Sequence, residues 1–100
     1  MAIQQFNPPH PGELIYRTYI ERYDSVTATS VARMLGVSKS TFSRLLAGKS
    51  DISPEMAVRL SAVLGRSAES WMAVQGNYDL WKARKSVNTK KLQRIEFEVA

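Results

Sequence analysis

The chain contains no cysteine among its 100 residues. Disulfide bonds and thiolate metal sites are therefore excluded, and a reducing compartment fits this composition. No apolar run approaches the roughly 20 residues needed to span a bilayer. The first residues, MAIQQFNPPHPGE, also lack the charged and then apolar plan of a signal peptide. We therefore expect a cytoplasmic chain that does not associate with membranes.

Histidine is nearly absent, because His10 is the single one. A metal site needs several ligands, and a catalytic base needs an oriented nucleophile. Serine is plentiful, but no serine, lysine and acid are spaced for catalysis. We therefore expect no metal site, no cofactor and no enzyme activity, and we interpret His10 in NPPHPGE as a loop residue.

Acidic residues are outnumbered by basic ones, with 9 against 14 and a formal net charge of +5. This balance favours polyanionic partners such as nucleic acid, although a merely solvated basic surface has the same charge. The length and the ordinary apolar share predict one globular domain. We place this domain over residues 1–85 and a C-terminal tail over residues 86–100.

Apolar periodicity, helix caps and glycines together predict an all-α fold of five helices. The predicted helices cover residues 12–23, 30–35, 39–47, 54–64 and 68–85. Their predicted caps are Thr29, Ser38, Ser53 and Ser67, while Gly36, Gly48 and Gly65 follow helix ends. In the first helix the residues expected to face the core are Leu14, Ile15, Thr18 and Tyr19.

The tail differs in character from the rest of the chain. Residues 89–94 are basic, and from Ile95 to Val99 apolar residues alternate with acidic ones. An alternation of period two predicts a short strand. A single strand needs a neighbour from another chain, so the alternative is a frayed terminus.

The stretch VARMLGVSKSTFSRLLAGK, from Val31 to Lys49, contains four basic residues and no acidic one. It predicts two short helices joined by a tight turn. Ala32 is small enough for a close helix crossing, Gly36 suits the turn and Val37 anchors it. The residues of the second helix of this pair that are expected to face the other helix are Phe42, Leu45 and Leu46. This is the pattern of a helix-turn-helix, placed at about residues 29–48.

The outer face of the second helix of this pair would then be positive and hydroxylated. Lys39 and Arg44 can reach the guanine acceptors O6 and N7, whereas the short Ser40 and Ser43 specify bases weakly. The N-terminus of a helix also offers free N–H groups to phosphate. The alternative is an interior helical hairpin with a solvated basic face.

Aromatic residues follow one side of the last helix, at Trp71, Tyr78 and Trp81. Such a stripe can stack a ligand, but at helical spacing it is more often core or dimer surface. We predict a mixed role, with part of the stripe in a homodimer interface.

Three further segments, in a fixed order, carry a family resemblance. NPPHPGELI, DISPEMAVRLSAVLG and SWMAVQGNYDLWKAR surround the helix-turn-helix stretch, and the resemblance covers about residues 7–84, which is most of the chain. The stretch itself resembles the Cro and phage-repressor type of helix-turn-helix, and the whole set resembles the HigA-type antitoxins, also described as virulence-associated-protein-I-like. The resemblance implies a five-helix, lambda-repressor-like fold.

The resemblance also implies a homodimer that binds a palindromic operator in double-stranded DNA and neutralises a partner toxin, typically an mRNA-cleaving enzyme. Carried to matching positions, the implied base-reading residues are Lys39, Ser40, Ser43 and Arg44. The implied DNA-backbone contacts are Thr29, Ser38, Thr41 and Lys49, and Ser50 in the same loop is expected to join them. The alternating tail is the candidate segment that would face the toxin.

Two other functions stay open at this point. The chain could be a stand-alone repressor without a toxin, or a toxin-binding module with weak DNA binding. The connection between the first two helices, residues 23–28, is longer than usual for this family. This length affects the position of the cap of the second helix and the role of Thr29.

Overall fold

The structure is a computed structural model of the single chain and describes residues 7–98. Within that range it is all helical, which confirms the predicted fold class. The helices are α1 (Pro11–Ile15, continued by a π-helical segment over Tyr16–Ile20), α2 (Ala28–Leu35), α3 (Lys39–Leu46), α4 (Pro54–Leu64) and α5 (Ala68–Ser86), followed by a 3₁₀ turn over Thr89–Lys91.

The core lies where the first four helices meet the first half of α5. Its largest buried side chains include Trp71, Phe42, Ile15, Leu45 and Leu60. Full burial of each such side chain stabilises the fold by about 1.5–3 kcal/mol. The Trp71 indole N–H donates a 2.8 Å hydrogen bond to the carbonyl of Gly65, so the end of α4 is tied directly to α5.

The first helix widens after its first turn and ends earlier than predicted. The Glu21 N–H bonds to the Tyr16 carbonyl at 2.8 Å, five residues back. A π turn contains an extra residue, so the inward position after Ile15 moves from Tyr19 to Ile20. Ile20 is accordingly 8% exposed, whereas Tyr19 is only half-buried, as are Leu14 and Thr18.

The second helix begins before the predicted cap. Thr27, not Thr29, accepts the hydrogen bond from the Ser30 N–H, at 3.1 Å. The Ser30 hydroxyl in turn accepts from the Thr27 N–H at 3.2 Å, which completes a reciprocal capping box. The prediction that Thr29 caps this helix is therefore wrong, and Thr29 lies exposed in the first turn.

The other predicted caps are confirmed. Ser38, Ser53 and Ser67 each accept a hydrogen bond from the backbone N–H three residues later. Each bond satisfies one of the N–H groups that a helix start leaves without a partner. The starts of α3, α4 and α5 are therefore fixed by single hydroxyl groups, as the sequence indicates.

The described part of the tail is irregular. Residues 92–98 have no regular secondary structure, and residues 82–98 are exposed throughout. The strand predicted from Ile95 onwards is not formed over residues 95–98, since the all-helical chain offers it no neighbouring strand; Val99 lies outside the described residues. The division into residues 1–85 and 86–100 stays a prediction. No helix within residues 7–98 is long and apolar enough to cross a membrane.

Candidate nucleic-acid interface

The turn between α2 and α3 has the close geometry that its sequence predicts. Gly36 ends α2 in the left-handed region, with φ 75°, where glycine carries no steric penalty. The Val37 N–H donates to the Ala32 carbonyl at 3.1 Å, and the Gly36 N–H to the Arg33 carbonyl at 3.1 Å. This pair of bonds closes the end of α2. Ala32 itself is 2% exposed, consistent with a close crossing.

One side of α3 is sealed against the rest of the chain. Phe42 is 0% and Leu45 1% exposed, and Leu46 is half-buried against the same core. Helical geometry therefore fixes which side of α3 remains outside. The prediction that these three residues face inward is confirmed.

The outside of α3 carries all four predicted base-reading residues. Each is exposed, and none of residues 7–98 covers them. Lys39 and Ser43 are four positions apart, and so are Ser40 and Arg44. Residues at this spacing are neighbours on a helix, so the two pairs form adjoining rows on its surface. Neither basic side chain takes part in an ion pair with residues 7–98. The four are Lys39, Ser40, Ser43 and Arg44.

Hydroxyl groups surround the start of this helix. The Ser38 hydroxyl accepts from the Thr41 N–H at 3.1 Å and lies 2.9 Å from the Thr41 hydroxyl. It also lies 3.3 Å from the Ser40 hydroxyl. Ser38 is exposed and Thr41 is half-buried. The group forms a polar rim beside the free N–H groups of the helix terminus, which suits an anionic ligand.

A second glycine turn follows α3 and presents the last predicted backbone contacts. Gly48 has φ 78°. Its N–H donates to the Leu45 carbonyl at 3.0 Å, and the Lys49 N–H donates to the Arg44 carbonyl at 2.9 Å. This arrangement caps the helix. Lys49 is exposed beyond it and Ser50 is half-buried.

Comparison with known proteins identifies this arrangement. The sequence model of the helix-turn-helix family HTH_3 matches residues 25–71. The uncharacterized HTH-type transcriptional regulator YddM of Escherichia coli K12 is 38% identical over 89% of this chain and 93% of its own length. The chain belongs to the helix-turn-helix family. Within that family, relatives include antitoxins of the HigA type, and the resemblance drawn from the sequence is confirmed.

Solved helix-turn-helix structures agree along nearly the whole length. Antitoxin GraA is 32% identical with a TM-score of 0.78, covering 91% of this chain and 100% of its own. Pseudomonas aeruginosa antitoxin HigA, solved with the higBA promoter, is 32% identical with a TM-score of 0.74, covering 89% of this chain and 96% of its own. The family is one of DNA-binding regulators rather than enzymes.

Arg59 supports the helix-turn-helix from outside, and the sequence analysis did not single it out. Its Nη1 donates a 2.7 Å hydrogen bond to the Leu35 carbonyl at the end of α2. Glu55 holds the guanidinium from the other side, at 2.8 Å and 3.2 Å. A cation at the C-terminal end of a helix is stabilising. The four-residue spacing of Glu55 and Arg59 is the one sequence signal for this contact.

Gln75 is a second residue that the sequence analysis missed. It is 4% exposed, and its Oε1 accepts a 2.7 Å bond from the Ile52 N–H in the loop between α3 and α4. Its Nε2 donates to Asp79 at 3.0 Å. This amide therefore satisfies a buried backbone donor and connects that loop to α5.

The aromatic stripe of α5 divides between core and surface. Trp71 is 0% exposed, packed against the half-buried Tyr19 ring with centroids 6.0 Å apart. Trp71, one of three candidate interface residues, therefore belongs to the core part of the predicted mixed stripe, because its side chain has no exposed surface to offer a second copy. Tyr78 and Trp81 are half-buried, with ring centroids 5.9 Å apart, and they remain predicted interface residues.

His10 lies in the loop directly before α1, as predicted, and it has a structural role there. Its Nδ1 accepts a 2.9 Å hydrogen bond from the Gly12 N–H and so caps α1. No group of three or more His, Cys, Asp or Glu residues that could hold a metal ion is found within residues 7–98.

Proposed function

We propose that the chain is a sequence-specific DNA-binding antitoxin that represses its own operon and neutralises an mRNA-cleaving toxin. The observation that carries the DNA-binding part is the outer face of α3. Two basic side chains that form no ion pair within residues 7–98, and two short hydroxyls, lie exposed on a helix whose opposite side is buried in the core. A positive face that residues 7–98 leave uncovered suits the major groove.

In this proposal α3 enters the major groove by its N-terminal end. Lys39 and Arg44 hydrogen-bond to guanine O6 and N7, and Arg44 can do so through two N–H groups at once. Ser40 and Ser43 add weaker base contacts. The short hydroxyls also let the helix backbone approach the base edges closely.

Phosphate contacts would set the orientation of α3. The hydroxyls of Ser38 and Thr41 lie at its first turn, and Lys49 and Ser50 lie in the loop after it. Thr29 joins them from the exposed first turn of α2, although it does not cap that helix. The proposed backbone contacts therefore approach from both ends of the recognition helix.

A homodimer completes the proposal. Two copies related by a two-fold axis would place their α3 helices in successive major grooves about 34 Å apart. A palindromic operator with half-sites one turn apart follows from that symmetry, and repression follows when the bound dimer excludes polymerase. The similarity to Pseudomonas aeruginosa antitoxin HigA, solved with the higBA promoter, supports the binding of a promoter.

Toxin neutralisation is supported by the similarity of the chain to two solved antitoxins, GraA and HigA. A surface for such a partner is available on the tail, where Leu92, Ile95 and Phe97 are between 65% and 78% exposed. We propose no catalytic role for the chain. The proposed activity requires the cytoplasm, where bacterial DNA and the mRNA substrate of the toxin are found.

Two measurements test specific DNA recognition and toxin neutralisation separately. Fluorescence anisotropy with the duplex upstream of its own gene, against a scrambled duplex of equal length, should show at least ~10³-fold tighter operator binding. Equal affinities across a range of salt concentrations would refute specific DNA recognition. The product of the neighbouring reading frame should arrest growth when expressed alone, and co-expression of this chain should restore growth. If growth is not restored although the chain binds its operator, the chain is a stand-alone repressor without a toxin.

A further inference from the structure

One side chain, His10, contacts three separate elements of the fold. Nδ1 accepts from the Gly12 N–H in α1, so in the neutral imidazole the hydrogen is on Nε2. Nε2 lies 3.1 Å from Asp51 Oδ1 in the loop after α3. The ring also meets the Tyr78 ring of α5 edge to face, with centroids 5.0 Å apart. The imidazole is 11% exposed.

The same ring lies beside the glycine turn that ends α3. A Cβ atom built on Gly48 would lie 3.6 Å from the His10 ring, so the two are close neighbours. The loop is held at Asp51 by His10 and at Ile52 by the side chain of Gln75. Lys49 and Ser50 lie between the glycine turn and these two anchors.

Lys49 itself gains little support from its own contacts. It is exposed and belongs to no ion pair within residues 7–98. Its backbone is fixed by the bond to Arg44 and by the anchored loop. A lysine on a fixed backbone loses less conformational freedom when it meets a phosphate than one on a mobile loop.

We propose that His10 is a positioning residue for DNA binding, which holds the loop after α3 so that Lys49 meets the DNA backbone. This inference rests on the proposed function. It assigns to the NPPHPGE segment, more than 35 positions away from Lys49 in the sequence, a role in affinity that is independent of base recognition.

The test is a double-mutant cycle on operator affinity, with His10→Asn, Lys49→Ala and the double variant. Asparagine retains a side-chain oxygen that can cap α1, but it has no Nε2 to bond to Asp51 and no ring to contact Tyr78. We expect His10→Asn to weaken operator binding about 3- to 10-fold, with a salt slope lower by up to about 0.9, the value of one phosphate contact. In the Lys49→Ala background it should have almost no further effect.

Several results would overturn the proposal. If His10→Asn weakens binding equally with Lys49 present or absent, the residue supports only the fold. Unchanged affinity and slope in His10→Asn would also refute it. If the wild-type chain does not bind its operator, the proposed function fails, which is distinct from either result.

A second pair of variants covers the case in which His10→Asn does not fold. Asp51→Ala removes only the loop end of the bond, and Asp24→Ala removes an exposed carboxylate elsewhere, so the two have equal net charge. We expect Asp51→Ala to bind the operator more weakly than Asp24→Ala, but only when Lys49 is present. Equal binding by the two would contradict a role for this bond.

Discussion

Two glycine-to-alanine substitutions in helices are expected to change stability in opposite directions. Gly12 lies in the first turn of α1, and Gly76 lies in the interior of α5. Neither has a positive φ, so alanine fits both backbones. By helix propensity alone, both substitutions should stabilise the protein.

Packing reverses this expectation at Gly12. A Cβ atom there would lie 1.7 Å from the Leu45 carbonyl oxygen, whereas real Cβ atoms essentially never come closer than 3.0 Å to such an atom. The neighbouring atom belongs to the backbone of α3, so α1 would have to move by more than about 1 Å. Overpacking of this kind costs roughly 1–3 kcal/mol, and loss of the hydrogen bond from the Gly12 N–H to His10 adds about 1 kcal/mol.

We therefore expect Gly12→Ala to lower the free energy of unfolding by about 2–4 kcal/mol. At Gly76 a Cβ atom meets nothing within 4 Å, and Gly76→Ala should raise stability by about 0.5–1 kcal/mol. Urea unfolding followed by circular dichroism measures both. It should be repeated at several protein concentrations, because dimerisation contributes to apparent stability.

The comparison has a clear point of failure. If Gly12→Ala leaves the urea midpoint unchanged or raises it, as Gly76→Ala is expected to do, the close approach of α1 to α3 is not a feature of the folded protein. Gly76→Ala also serves as the matched control, since the chemical change is identical and only the surroundings differ.

Three further predictions follow from the site and the loop. Arg44→Ala should reduce the preference among operator sequences by about 1–3 kcal/mol, whereas Lys49→Ala should weaken binding to all duplexes and lower the salt slope by about one; equal losses on operator and random DNA for both would refute the assigned roles. Thr27→Ala should destabilise the protein by about 1 kcal/mol in urea unfolding, and Thr29→Ala by much less. A larger loss in Thr29→Ala would show that Thr29 caps α2. Gln75→Leu should cost roughly 1–3 kcal/mol, because a buried N–H is left without a partner; unchanged hydrogen exchange at the Ile52 amide would contradict this.

Sequence reasoning succeeds where a signal is local. The cap and helix of α3 follow from Ser38 and from the spacing of Phe42 and Leu45, so the outer face could be deduced from the inner one. The left-handed turn at Gly36 is similarly local. These features need no knowledge of distant parts of the chain, and together they define the proposed DNA-reading surface.

The errors arise where distant contacts decide. Thr27, Thr29 and Ser30 can all act as caps, and the choice depends on how the preceding loop packs. The π turn in α1 follows from packing that no spacing rule predicts. Gln75 reads as an ordinary polar residue, because its partner N–H is 23 positions away. Trp71 and Trp81 share one stripe, but only Trp71 lies at the level where α5 crosses the core.

The contrast between the buried first half of α5 and the exposed residues that follow it has an evolutionary consequence. Residues 82–98 are exposed throughout, so substitutions there remove no core contacts and are mostly tolerated by the fold. Duplicated copies of this gene in one genome can therefore diverge in this segment while their operator-reading helices stay intact. Under the proposed function, such paralogues would differ in the toxin they bind while they still recognise the same operator.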